Sequence, residues 1–240
     1  MDSSSQLVVV TGGSQGIGRA LVERFLRAGY AVATCARSQE GLAQLRAALP
    51  TAALDRLHTQ PADLGQWESC QHFTSFVLGL GLPLAALVNN AGAFLPGRLQ
   101  DEPADGSRLR EMLGANLLSA YDVTRALLPA LLAQRSGHIF TVCSTASLIP
   151  YPNGGSYGIA KFALLGFTKT LREELKTQGI RVTAVLPGAT LTRSWDGVGQ
   201  PPERFIRCED VAEAVFSAFS LSPQAVVEEL VIRPQLGDLL

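Results

Sequence analysis

The chain has 240 residues, 20 basic and 21 acidic side chains, a formal net charge of −1 and an apolar fraction of 47%. This length suits one large α/β domain and is short for two enzymatic ones, and the apolar content excludes disorder. Balanced charge argues against a protein built to grip nucleic acid or an anionic membrane surface.

Leu7–Val10 is a continuous apolar run and reads as a buried parallel strand. Glycine-rich residues 12–18 follow. Arg19–Ala28 carries Ala20, Leu21, Phe25 and Leu26 at helical spacing and ends at Gly29. Tyr30–Ala36 is the next strand, 39–49 a helix stopped by Pro50, and Leu57–Gln60 a short strand before Asp63. A helix near 66–79 leads to a fourth strand at Leu84–Val88. Two helices are predicted near 106–117 and 118–134, then a fifth strand at His138–Val142. A helix at Ser156–Thr177, a sixth strand at Ile180–Leu186, a loop over Pro187–Arg207, a helix at Glu209–Phe219 and a seventh strand at Glu229–Ile232 follow.

This alternation predicts an α/β fold: one doubly wound, seven-stranded, mostly parallel sheet with helices on both faces. A single domain is expected over residues 1–240, with a cofactor half to about residue 135 and a catalytic and substrate half from about 136. Ligands bind such sheets beyond the carboxyl ends of the strands. The loops after strands 1, 2, 4, 5 and 6 are therefore the ones to inspect.

No stretch approaches the roughly 18 apolar residues of a membrane span. The start, Met1 to Gln6, has no basic segment, and Leu7–Val10 is too short for a signal core, so no targeting segment is read. Cys35, Cys70, Cys143 and Cys208 are dispersed, without a CxxC or a His/Cys cluster. That pattern points to free thiols in a reducing cytoplasm and to no metal site. Cys143 reads as core. His58, His72 and His138 lack ligand spacing and read as structural.

Thr11-Gly12-Gly13-Ser14-Gln15-Gly16-Ile17-Gly18 joins the first strand to the first helix. A pyrophosphate needs backbone approach free of β-carbons and gains from a helix N-terminus. Gly12, Gly16 and Gly18 supply that room. The spacing is G-x3-G-x-G rather than the usual G-x-G-x-x-G, and a tight turn with no ligand is the competing reading. Tyr157 and Lys161 are four apart on a predicted helix and share a face. Ser144 lies 13 positions before Tyr157, and Asn116 lies in the helical region before the fifth strand. A Tyr-x3-Lys pair by itself could be a surface pair.

Together these motifs resemble the short-chain dehydrogenases/reductases, whose loop reads T-G-x-x-x-G-x-G. The resemblance runs from Leu7 to about Pro234. It includes Asp63-Leu64, Asn89-Asn90-Ala91-Gly92, Asn116, Ser144, Tyr157-x3-Lys161 and Pro187-Gly188. It implies a Rossmann sheet, a nicotinamide cofactor and an Asn-Ser-Tyr-Lys tetrad that reduces a carbonyl by hydride transfer. Ser144 would donate to the growing oxyanion, a contact whose loss typically costs about 10²–10³ in rate. Tyr157 would be the general acid. Lys161 would favour the phenolate by its charge and bind the nicotinamide ribose, and Asn116 would hold a water leading from Lys161 to solvent.

The resemblance also assigns cofactor contacts. Gly12, Ser14, Gln15, Gly16, Ile17 and Gly18 take the pyrophosphate, and Asp63 and Leu64 the adenine, although Asp63 also reads as a helix cap. Asn90, Ala91 and Gly92 pass beneath the adenosine side, with the Asn side chains partly structural. Pro187, Gly188 and Thr192 lie by the nicotinamide, with Thr190 competing for the carboxamide. Where the family carries an NAD-selecting Asp this chain has Ala36, followed by Arg37 and Ser38. A carboxylate would repel a 2′-phosphate and a guanidinium can grip one, so NADP(H) is expected. Ser14-Gln15 departs from many NADP-using relatives in carrying no basic residue.

The C-terminal run Val226–Pro234 with Gly237-Asp238, the segment Ser136–Phe140 and the position of Trp195 resemble bacterial sepiapterin reductases and neighbouring carbonyl reductases. Trp195 would then line the substrate pocket with Ser144 and Tyr157. Another carbonyl class (3-oxoacyl, sugar, steroid or xenobiotic) is the alternative, and a non-catalytic nucleotide sensor a remote one. The partner is a small carbonyl compound, with no nucleic acid and no membrane. Leu127, Leu128, Leu131 and Leu132, with Phe162, Leu165 and Phe167, exceed what one sheet face needs. Family members pair these two helices across a two-fold axis, which implies a homodimer or homotetramer.

Overall fold

Leu7–Thr11 (β1) is buried along its whole length, as a strand covered on both faces must be. Its alternate side chains serve different faces. Val8 and Val10 pack with Leu21 and Phe25 of α1 (Gly16–Arg27), while Leu7 and Val9 join the opposite core. The computed structural model describes residues 5–239. Met1–Ser4, where most of the N-terminal reading falls, lie outside them.

After α1 come β2 (Ala31–Ala36), α2 (Gln39–Ala48), a single turn α3 (Thr51–Leu54) and β3 (Leu57–Pro61). Pro50 ends α2 as predicted but also starts α3, whose first turn needs no amide there. Next are α4 (Trp67–Gly79), β4 (Leu84–Asn89), α5 (Ser107–Leu113) and α6 (Ser119–Gln134). The two helices expected near 106–117 and 118–134 are joined without a break by a wide π turn, Gly114–Leu118. β5 (Gly137–Val142), α7 (Gly155–Leu175), β6 (Ile180–Pro187), α8 (Cys208–Phe219) and β7 (Glu229–Ile232) complete the order.

The seven strands form one sheet in the order β3-β2-β1-β4-β5-β6-β7. Every pairing is parallel, which sharpens the expected "mostly parallel" to wholly parallel. The chain leaves β3 at one edge and returns to β4 beside β1, so the connections diverge there and leave a mouth at the strands' carboxyl ends. One core packs α1 and α8 on the sheet; the other packs α4, α6 and α7. Among the described residues no helix is long and apolar enough to cross a membrane.

The apolar surplus on α6 and α7 divides in two. Leu127, Leu131 and Leu165 are buried in the protein's own core, contrary to the expectation that they face a partner. Leu132 and Phe162 are exposed, together with Leu118, Tyr121 and Ile159. His138 is fully buried, stacked on Phe140 and hydrogen-bonded to the Thr183 hydroxyl at 2.7 Å. Burial lowers its pKa to about 2, so it is a neutral structural residue.

Candidate active site

The mouth holds a cleft of about 1190 Å³. At one end is the glycine turn. Gly12 and Gly16 have φ of +69° and +55°, the left-handed region that side chains avoid. A Cβ on Gly18 would overlap the Gly12 carbonyl and the Asn90 amide, and one on Gly13 would overlap Thr34. Gly13 is a requirement that the motif spacing did not reveal, because Thr34 is distant in sequence. Its own amide is bonded to the Cys35 carbonyl at 3.1 Å. No side chain caps the start of α1 at Gln15. Its first amides therefore open into the cleft, as an anion site requires.

β4 is stitched to this turn. The Thr11 hydroxyl accepts from the amides of Asn90 and Ala91, each at 2.9 Å. The Asn90 side chain donates to the carbonyls of Thr11 at 2.8 Å and Gly12 at 3.2 Å. Asn89 donates to the Thr124 hydroxyl at 2.8 Å. The amides of the Asn pair are structural braces, while Asn90, Ala91 and Gly92 still line the cleft.

Arg37 lines the cleft at the end of β2 and is exposed. Among the described residues no ion pair or hydrogen bond holds its guanidinium. Ser38 follows Arg37, and its hydroxyl caps α2 by accepting the Gly41 amide at 3.1 Å. Asp63 and Leu64 lie in the lining. Asp63 accepts the Gly65 amide at 3.1 Å, a local turn that leaves its other oxygen to the cleft.

At the far end stand Ser144, Tyr157, Lys161 and Asn116. Ser144 follows β5, and its hydroxyl accepts the Ala146 amide at 3.1 Å, in the same cleft lining as Tyr157. Lys161 is 6% exposed and donates to the Val142 carbonyl at 2.9 Å. Its Nζ lies 5.8 Å from the Tyr157 ring centre. Burial lowers its pKa to about 8. Burial also pushes the Tyr157 phenol above its ordinary value, and the nearby Ser144 hydroxyl opposes that shift. Asn116 sits in the π turn, buried, and exchanges hydrogen bonds with Ala93 while also donating to the Met112 carbonyl at 3.0 Å. Wide turns of this kind often mark functional positions. A Cβ on Gly92 would lie 2.7 Å from the Asn116 oxygen, so that glycine is what lets the two segments approach.

Pro187, Gly188, Thr190, Thr192 and Trp195 close the cleft from β6. Thr190 is buried and donates to the Gly188 carbonyl at 3.0 Å, which engages its hydroxyl and favours Thr192 for contact across the cleft. The Thr192 methyl lies opposite Gly16. Trp195 stacks on Phe94 with centroids 6.2 Å apart, and Phe94 meets the Tyr157 ring edge-on at 4.8 Å. Phe94, Tyr151 and the tail residues Arg233 and Asp238 were missed from sequence, since nothing in their spacing places them in the cleft. The loop after β3 and the tail after β7 also join the five loops singled out.

This architecture defines a nucleotide-dependent oxidoreductase, and the family can be named. The short chain dehydrogenase model matches residues 6–202, and the chain belongs to that family. It is 31% identical to sulfoacetaldehyde reductase 2 of Chromohalobacter salexigens over 96% of this chain and 94% of that protein. It is 28% identical to sepiapterin reductase of Chlorobaculum tepidum over 97% and 98%. Among solved structures, an alcohol dehydrogenase from the archaeon Thermococcus sibiricus complexed with 5-hydroxy-NADP superposes with a TM-score of 0.86 at 28% identity, covering 98% of this chain and 99% of that one.

Proposed function

We propose that the protein is an NADPH-dependent carbonyl reductase in which Tyr157 is the proton donor. The observation that carries this reading is the meeting of Ser144, Tyr157, Lys161 and Asn116 at the far end of a cleft that begins in a glycine cradle. The residues fit the cofactor: a pyrophosphate can approach Gly12, Gly16 and Gly18, where a Cβ would be strained or blocked. Arg37, unpartnered among the described residues, takes the 2′-phosphate, with Ala36 beside it offering no repelling charge. Asp63 and Leu64 hold the adenine, and Thr192 reaches the carboxamide. When bound, the reduced nicotinamide supplies the hydride.

The protein's own residues handle the proton. Ser144 donates to the carbonyl oxygen as charge grows there, and Tyr157 releases its proton to the same oxygen. A phenol kept protonated by burial suits the direction of reduction. Lys161, on the next turn of α7, would bind the nicotinamide ribose, and Asn116 would hold a water on a proton path behind it.

The flat aromatic wall of Phe94 and Trp195 supports a planar substrate of the sepiapterin kind. The exposed apolar face of α6 and α7 supports a homodimer or homotetramer, and four separate thiols support work in a reducing cytoplasm. NADPH oxidation measured across pterins, diketones, 3-oxoacyl thioesters and aldehydes tests the reading. Turnover of none, or turnover undiminished in Tyr157→Phe, overturns it. Light scattering should report at least twice the 25.5 kDa chain mass.

A further inference from the structure

The start of α7 carries Tyr157 in its first turn, yet its own N-cap, Gly154, offers no side chain. The missing acceptor comes from 54 residues away. Glu102 Oε1 accepts the Ser156 amide at 2.9 Å, and the Ser156 hydroxyl donates to Glu102 Oε2. Glu102 closes the short turn Leu99–Asp101 in the loop that leaves β4, and that loop forms one wall of the cleft through Ala93, Phe94 and Pro96. The opposite wall, Ile149–Asn153, runs straight into α7. A second tie joins the walls: the Gly97 amide donates to the Asn153 carbonyl at 3.0 Å. Phe94 against Tyr157 is the third contact.

We infer that Glu102 is a positioning residue that latches the two cleft walls together and fixes the first turn of α7, setting the height of Tyr157 over the substrate carbonyl. The inference rests on Tyr157 being the proton donor proposed above. Three features converge on it. Both carboxylate oxygens are engaged by one residue, Ser156, which is the immediate neighbour of Tyr157. A negative charge at a helix N-terminus is electrostatically favoured, and the Ser156 bonds in turn hold the Glu102 carboxyl below its ordinary range, so it is a carboxylate. The third feature is Gly155. Its φ is +39°, and a Cβ there would lie 2.5 Å from both Glu102 Oε1 and the Gly97 carbonyl. Gly155 thus makes the room that the latch occupies.

The test uses the full-length protein and the carbonyl compound it reduces best in the panel above. Glu102→Ala should lower kcat about tenfold or more, as misplacement of a reacting group by a fraction of an ångström does. KM should change less than about threefold and the NADPH Kd, read by cofactor fluorescence, less than about twofold, because the glycine cradle is untouched. Glu102→Gln keeps one acceptor for the Ser156 amide and should recover most of the loss, and Ser156→Ala should fall between. Hydrogen exchange gives a readout apart from activity: amides of 149–160 should exchange faster in Glu102→Ala while those of 7–28 do not change. A Glu102→Ala enzyme with kcat within twofold of wild type overturns the inference. So does a slower enzyme whose exchange rises equally everywhere, which is general destabilisation. Tyr157→Phe runs alongside. If it stays active the proton-donor reading falls and the inference with it; if it is inactive while Glu102→Ala is not, only the latch falls.

Discussion

The two ends of the cleft are built on opposite principles. The glycine end works by what is missing: Gly12, Gly16 and Gly18 clear space so that an anion can approach the main chain. The tyrosine end works by side chains held where their charge is costly. Tyr157 and Lys161 are both displaced by burial toward their neutral forms. A backbone site binds without titrating; a side-chain site can move a proton but must be braced from several segments, here β5, the π turn, the loop after β4 and α7. The binding function and the chemical function should therefore separate under mutation.

The largest expected separation is at the tyrosine. Tyr157→Phe keeps the ring packed against Phe94 and removes only the proton donor, so kcat should fall by about 10²–10⁴ while the NADPH Kd stays within about twofold. Steady-state kinetics with a fluorescence titration checks both halves, and more than about a tenth of wild-type kcat contradicts the general-acid role.

Lys161 sharpens the contrast through pH. Its ordinary pKa is 10.5 and burial lowers it to about 8. Between those values the unfolded chain holds one more proton than the folded one. Stability therefore rises with pH across that window, by at most about 1.4 kcal/mol per pH unit. Below about pH 8 both states are protonated and the slope vanishes. Lys161→Met should lose this rise. Denaturant unfolding at pH 8 and pH 10 compares the two proteins. The raised thiols of Cys35, Cys70 and Cys208 push the other way alike in both proteins, so the difference between the slopes belongs to Lys161 together with Cys143, whose thiol its charge holds down.

At the binding end, Arg37→Ala should shrink the NADPH-over-NADH preference by about 10- to 100-fold, the worth of a hydrogen bond to a charged group. The readout is kcat/KM for each cofactor in both proteins. Equal efficiencies in wild type would remove Arg37 from the site. The smallest effect is at Trp195. Trp195→Ala should raise KM for a flat bicyclic substrate about 2- to 10-fold, and less for a small diketone, since an aromatic contact adds about 0.5–1.5 kcal/mol. Equal losses for both, with a lower Tm, would make Trp195 an anchor for Phe94 and Phe205 rather than a substrate contact.

The sequence by itself determined the strand and helix order, the glycine turn and the Tyr157–Lys161 pair, because each is written in residues close together in the chain. Periodicity names a strand or helix, and spacing of four places two side chains on one face. What it could not determine is whatever joins distant segments. The hydrogen bonds of Asn116 with Ala93, the need for Gly13 beside Thr34, the inward turn of Leu127, Leu131 and Leu165, and the Phe94 and Glu102 contacts with the start of α7 all depend on partners brought near by the fold, whereas the Ser38 and Thr190 hydroxyl bonds are local. Tertiary structure also decided the protonation balance. Burial, which no local pattern records, is the leading influence on both Tyr157 and Lys161.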